Sequence, residues 1–419
     1  MSMRHRLPGF VRHRLPGFAD AVVAAAMMGV LGYLTLRLAI WEDFFAEAAP
    51  AVKHLMAGNM HGFLALTPVY GGSLLLSTPA LALGGALDGL NGAYRLETLF
   101  CTTTVVVLAL TLARIQRSQG RSTPSRWLLI ALLVASPAAD WALKEGHPEE
   151  LMTAALCVGG MLLVVRGRIT TGAILLGLAV ASKQWALLAL PIALATVPNG
   201  HRIRLSATAG AAALALFAPL ALTATGNFVA VNKGLASAPM IFHPQQIWWT
   251  LFLDSSRPFG GPHSTIFGSA ITLVARYSHP LIVLTAVLLG LTYWARRSHV
   301  QPTDALLMLA LVMLLRCMLD PWDVVYYAFP CLVALASWEV ASNRRAPVLT
   351  LAASLLVWIG FGVVTQVSSG DLANLFYVAW TIPAAVLMGW RSLHLPRPFA
   401  VQTRYETTVS SLPSRLRTS

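Results

Sequence analysis

The sequence predicts an all-α fold, a polytopic transmembrane helical bundle of roughly ten to twelve membrane segments, and three observations carry that expectation. Of 419 residues, 56% are hydrophobic and only 11% charged, a balance that excludes an ordinary soluble domain of this size. Apolar runs recur from Ala21 to Trp390 with few interruptions. Between them the basic residues fall in clusters, and Lys and Arg in short loops stay on the cytoplasmic side of a membrane. The net charge of +13 therefore reads as orientation of a membrane chain, and no nucleic-acid partner is expected.

The first element is a basic segment, residues 1–18, in which Arg4-His5-Arg6-Leu7-Pro8-Gly9-Phe10 is repeated after Val11. It anchors the N-terminus in the cytoplasm, and the apolar run that follows continues to about Ile40 with no prompt small-residue cleavage site, so a retained first helix is expected. Further clusters at Arg114 to Arg126, Arg166 and Arg168, Arg202 and Arg204, Arg296 and Arg297, Arg344 and Arg345, and along the tail at 392–419 all face the same side. The spans between them alternate. Outward helices lie near 19–39, 127–140, 205–224, 303–319 and 346–366, and returning helices near 97–114, 150–166, 279–295, 324–341 and 373–390. The transmembrane domain is 19–391, in an inner (plasma) membrane, with both termini cytoplasmic.

Residues 169–198 fit no simple span, because basic clusters flank about thirty mostly apolar residues broken at Ser182-Lys183-Gln184. Two half-helices that enter the membrane and return keep both clusters inside, with Lys183 at the turn. The alternative is one long tilted helix with Lys183 snorkelling.

On this topology most acids, from Glu42 and Asp43 to Asp371, gather on the outer face, leaving Asp20, Glu97, Asp304, Glu339 and Glu406 elsewhere. Acids contribute little to orientation, so the skew points to function. An amphipathic outer-loop helix follows the first span: Asp43, Glu47 and His54 fall within about 40° of one another at 100° per residue, opposite Phe44, Val52 and Leu55. Pro50 kinks or restarts it. Arg316, Asp320, Asp323, Tyr326 and Tyr327 crowd one helix-to-helix turn, where Asp323 could cap the next helix while Arg316, an arginine in an apolar helix, points to a polar cavity or anionic partner. Glu149 and Glu150 after Pro148 read first as a helix start. In the loop from Gly226 to Ile266, His243, Trp248 and Trp249 line a site or anchor the interface.

No phosphate-cradling loop, nucleophile elbow or zinc spacing occurs, and Cys101, Cys157, Cys317 and Cys331 sit in or beside apolar runs as small hydrophobes. Neither a metal nor a cofactor is expected. The remaining chemistry is acid–base work by outward carboxylates with cations, as in glycosyl transfer from a lipid-phosphate sugar.

These residues resemble the C-type (GT-C) glycosyltransferase superfamily. Asp43-Phe44-Phe45 with Glu47-Ala48-Ala49 and Leu55-Met56-Ala57-Gly58 is similar to the Asp-led loop of family 87 mannosyltransferase-like proteins. Ala181-Ser182-Lys183-Gln184-Trp185 ending in Pro191 resembles the Lys-Gln segment of dolichol-dependent glucosyltransferases, and Asp320-Pro321-Trp322-Asp323 with Tyr326-Tyr327 a later outer-turn motif of bacterial members. The resemblance implies a GT-C-like bundle that moves a hexose such as mannose, with inversion, from a polyprenyl-phosphate donor to a lipid or glycan acceptor outside the cell. It makes Asp43 the general base with Glu42 its competitor, and places Lys183 at the donor phosphate. Position adds Arg316 there, and Glu47, His54, Glu149, Glu150, Gln184, His243, Asp320, Asp323, Tyr326 and Tyr327 complete the expected substrate-binding set. Membrane lipids are further partners. Two rivals stand beside this reading. A secondary transporter predicts paired helix breaks in two similar halves, whereas one break is visible; a non-catalytic envelope-assembly protein predicts dispensable acids.

Overall fold

A computed structural model describes residues 17–38, 42–68, 70–226, 229, 242–252 and 265–394. Nearly all of the expected basic segments, 1–18 and 392–419, and most of the loop from Gly226 to Ile266 lie outside the described residues. What is described is helical, with no strand among the described residues. Among the described residues seven helices are long and apolar enough to cross a membrane, and four shorter apolar helices accompany them.

Helix α1 (Phe18–Leu38) is followed by a π-helical turn (Phe44–Ala48), α2 (Ala49–Met56) and α3 (Met60–Leu66). Pro50 restarts the helix at the first turn of α2, where its missing N–H is not needed. The π turn adds a residue to the winding, so the single helical face expected to carry Asp43, Glu47 and His54 does not run through. The apolar side of this loop packs on the bundle: Phe44, Val52 and Phe63 are buried with Leu74, Leu81 and Tyr94.

Helix α4 (Gly71–Ser118) corrects the sequence expectation, which has a loop before residue 97. Its dihedrals break at Asp88 and Gly89, the latter at φ +59°, ψ −144°, a conformation open to glycine. Ser77 donates to Glu97 at 3.1 Å, whereas twenty residues of straight helix would separate them by about 30 Å. The arms 71–87 and 90–118 therefore fold back on each other. Their backbones touch at Gly84 and Gly92, where a Cβ on Gly84 would lie 2.1 Å from the Gly92 carbonyl.

The span expected near 127–140 is split into α5 (Thr123–Val134) and α6 (Pro137–Glu145), because Ser136 caps a new helix by accepting from Ala139 N at 3.2 Å. Helix α7 (Pro148–Val165) starts at Pro148, as expected. Helix α8 (Ile169–Ser182) ends at Lys183, whose backbone is extended at φ −150°, ψ +130°, and a 3₁₀ turn (Gln184–Ala189) leads into α9 (Leu190–Thr196). Lys183 lies against the start of α7, yet Arg202, soon after α9, stacks on Trp294 at 5.1 Å beside Arg297. The chain thus approaches one end of the bundle and returns, the half-helix arrangement.

Helices α10 (Arg202–Thr223), α11 (Thr265–Arg296), α12 (Asp304–Leu319), α13 (Phe329–Ala341), α14 (Val348–Trp358, continued through a π turn to Val367) and α15 (Gly370–His394) complete the bundle. One end is basic and sealed by acids that the site does not use. Asp20 pairs with Arg117 and Arg126. Glu339 accepts from Leu349 N, Thr350 N and Thr350 Oγ1 at the start of α14, and Asp304 takes the Trp338 indole N–H. The other end carries the acidic cluster. All four cysteines are free and buried.

Candidate active site

The cluster begins at the π turn after α1. Asp43 precedes that turn and its Oδ2 lies 2.9 Å from His147 Nε2; Nδ1 of the same ring lies 2.8 Å from Glu149 Oε1. His147 is held there by the α6–α7 turn, whose Gly146 adopts φ +95° directly under Phe44. Lys183 Nζ, delivered by the break between α8 and α9, bonds Glu149 Oε1 at 2.9 Å and Glu150 Oε1 at 3.3 Å, and rests 4.3 Å from the centre of the Tyr70 ring. Tyr70 in turn donates to Glu47 Oε2 at 2.7 Å. Glu150 Oε2 accepts from the Trp185 indole at 2.9 Å.

From Trp185 the contacts continue to the α12–α13 turn. The Arg316 guanidinium stands 5.4 Å over Trp185 and 4.0 Å over Tyr327, Tyr327 meets Tyr326, and Tyr326 returns to the His147 ring at 5.3 Å. The side chains close a circuit from His147 through Glu149, Lys183, Glu150, Trp185, Arg316, Tyr327 and Tyr326 back to His147. Within it, Glu149 is 2% exposed, His147 7% and Lys183 15%, whereas Asp43 is 42% exposed. Asp43 is thus the carboxylate of this chain of ion pairs that meets solvent.

Electrostatics fix the protonation of the ring. Burial and the nearby Lys183 charge oppose a proton on His147, but the Glu149 and Asp43 carboxylates on either side outweigh them and hold its pKa at about 9. An imidazolium donates from both nitrogens, and so aims the Asp43 carboxylate. Lys183 is neutralised by two carboxylates, but Arg316 is not: it is buried, and its Nη1 has no hydrogen-bond partner among the described residues. A buried cation of this kind is suited to an anion.

The structure brings Asp43, Glu47, Glu149, Glu150, Lys183, Arg316, Tyr326 and Tyr327 together. Others stand apart. Glu42 and Gln184 are exposed. His54 pairs with Asn59 Nδ2 at 3.1 Å near the end of α2. His243 is held by its backbone N–H on the Pro321 carbonyl, and burial lowers its pKa. Asp320 accepts from Trp322 N at 3.0 Å and lies 3.7 Å from His279. Asp323 does not cap the next helix; it accepts from the Tyr377 hydroxyl at 2.9 Å on the far side of the turn. Sequence reading missed His147, Tyr70 and Trp185. The Lys183-Gln184-Trp185 segment contained the signal for Trp185, and the run from Lys144 to Glu150, which reads first as a helix start, that for His147; nothing local marked Tyr70.

A buried carboxylate–imidazolium–ammonium chain ending in one accessible carboxylate thus stands at one end of the multi-pass helical bundle. The family model described as glycosyltransferase family 87 matches residues 94–321, more than half of the chain, and the chain belongs to that family. It is a membrane glycosyltransferase, with a sugar donor and an acceptor as substrates, and the transporter and assembly-protein readings fall away. No curated protein matches the chain.

Proposed function

We propose that the protein transfers a hexose, such as mannose, from a polyprenyl-phosphate donor to a lipid or envelope-glycan acceptor on the extracytoplasmic side, with inversion. The observation that carries this reading is the accessible Asp43 carboxylate backed by buried His147 and Glu149. An acceptor hydroxyl gives its proton to Asp43 as its oxygen attacks the anomeric carbon opposite the phosphate. The sugar–phosphate C–O bond breaks, and the polyprenyl phosphate leaves with the electron pair. A single displacement of this kind inverts the anomeric centre.

His147 is the positioning residue that aims Asp43. Arg316, with an unpartnered N–H, meets the developing phosphate charge, and Lys183 assists while it holds Glu149 and Glu150 in place. Preorganised cations at a departing anion are worth several kcal/mol when water is excluded. Asp43 is preferred to Glu42 as base because Asp43 is the one held by the imidazole.

The test is to supply the purified protein in lipid nanodiscs with polyprenyl-phosphate hexoses or with nucleotide sugars, over a panel of membrane acceptors. Transfer from the lipid-linked donor alone, with inverted anomeric configuration, is the expected result. Transfer from nucleotide sugars, or retention, would overturn it.

A further inference from the structure

The basic end of the bundle, away from the Asp43 cluster, holds two arginines on one tryptophan. Trp338, on α13, is fully buried. Arg344, from the turn between α13 and α14, and Arg391, from α15, each place the guanidinium carbon 5.0 Å from the centre of its ring. Contact of this kind holds an arginine in place without neutralising it. The two guanidinium carbons are therefore no more than 10 Å apart, and like charges that close repel.

No acid compensates the pair. At this end Asp20 is taken by Arg117 and Arg126, and among the described residues neither Arg344 nor Arg391 forms an ion pair. Glu339, next to Trp338, accepts from Leu349 N, Thr350 N and Thr350 Oγ1. Asp304 takes the Trp338 indole N–H on Oδ1 at 3.3 Å and the Gln301 N–H on Oδ2 at 3.1 Å, and it is one charge against two. The turn that carries Arg344 is also fixed. Arg121 donates to the Asn343 carbonyl at 2.6 Å, Gln119 to the Val340 carbonyl at 3.0 Å and Ser125 to the Arg345 carbonyl at 2.9 Å. Three bonds to the α4–α5 turn thus keep Arg344 beside Arg391 before any ligand arrives.

A phosphate group matches this arrangement, because its oxygens accept from guanidinium forks on two sides at once. Hydrocarbon flanks the pair. Leu387, one helical turn before Arg391, is 63% exposed, and Val348 and Leu349 at the start of α14 are 59% and 45% exposed, on helices apolar enough to cross a membrane. A soluble phosphate leaves that surface uncovered, whereas a phospholipid covers it with an acyl chain. A zwitterionic head would bring its own cation toward two arginines, so the head is anionic. Basic sites between membrane helices on the cytoplasmic side take such headgroups, and the basic end is the cytoplasmic one by the distribution of Lys and Arg.

We propose that Arg344 and Arg391 together bind the phosphate of one anionic phospholipid from the leaflet at the basic end, with its chains along α14 and α15. The site is separate from the Asp43 cluster and does not depend on the reading of that cluster.

The test uses the full-length protein in detergent with equal amounts of phosphatidylglycerol and phosphatidylcholine of identical chains, and counts bound lipid by native mass spectrometry. Phosphatidylglycerol is expected to be retained in preference. Arg344→Gln and Arg391→Gln should each cut that retention about tenfold, and the double variant should lose little more than either single one, since one phosphate bridges both. Arg204, exposed at the same end, is the control, and Arg204→Gln should bind as wild type. Where a glutamine variant fails to fold, Arg344→Lys and Arg391→Lys keep the charge without the fork and should still lose retention severalfold. Unchanged retention in these variants would overturn the proposal, as would an equal loss in Arg204→Gln, which marks diffuse attraction to a basic surface. Equal retention of the two lipids would also overturn it. So would displacement by inorganic phosphate where chloride at the same ionic strength is inert, because the site would then be one for soluble phosphate.

Discussion

At the scale of single residues, the site is an arrangement of charges that stabilise one another, and His147 is its centre. A histidine whose pKa rises from 6.5 to about 9 on folding contributes stability that is fully present below pH 6.5 and is lost as pH rises through about 9. The shift corresponds to something on the order of 3 kcal/mol. Thermal unfolding followed from pH 6 to 10 should show an alkaline loss of stability that is absent in His147→Gln; an identical profile in both would remove His147 from this role. Lys183 gives a second prediction. Removing one partner of a buried ion pair leaves uncompensated charge and costs about 3–5 kcal/mol, so Lys183→Met should lose stability by that amount, and Glu149→Gln in the same chain should recover part of it. A Lys183→Met protein of wild-type stability would mean that the two carboxylates do not depend on it. The role of His147 was illegible in the sequence for a physical reason: His147-Pro148-Glu149-Glu150 is also a good helix start, and its other partner, Asp43, is 104 residues away.

At the scale of elements, the spans were legible because lipid demands long apolar helices with satisfied backbones, and the break at Lys183 because two half-helices keep both flanking basic clusters on one side, where a single crossing would separate them. The arm 71–87 was not. Pro79 and several glycines give that stretch a loop-like text, and what makes it a helix is close packing on the arm 90–118, a tertiary contact with no local signature. Close approach also fixes the Lys183 turn: a Cβ on Gly72 would lie 2.3 Å from the Ala181 carbonyl, two residues before the lysine. Gly72→Val should therefore displace Lys183 from Glu149 and lower kcat by at least tenfold while the protein still inserts and folds, as read by kinetics beside size-exclusion and melting profiles. Full activity in Gly72→Val would show that the turn tolerates movement.

At the scale of the whole molecule, basic and acidic residues mark opposite ends, and the site lies at the acidic one. Single cysteines introduced at Asp88, on the α4 hairpin, and at Arg202, in a chain whose four native cysteines are buried, should label differently in intact cells. Asp88→Cys should react from outside and Arg202→Cys only after permeabilisation; the reverse pattern would invert the topology. The sequence also held the acids that form the cluster, but not their pairing, which arises where α6–α7, the α8–α9 break and the α12–α13 turn converge. The most direct test of the account is sugar transfer from a polyprenyl-phosphate hexose by wild-type, Asp43→Asn and Glu42→Gln proteins of equal stability. Loss of a general base costs about 10²–10⁴-fold, so Asp43→Asn should lose transfer by that factor with Glu42→Gln close to wild type. Transfer by Asp43→Asn at the wild-type rate would contradict it.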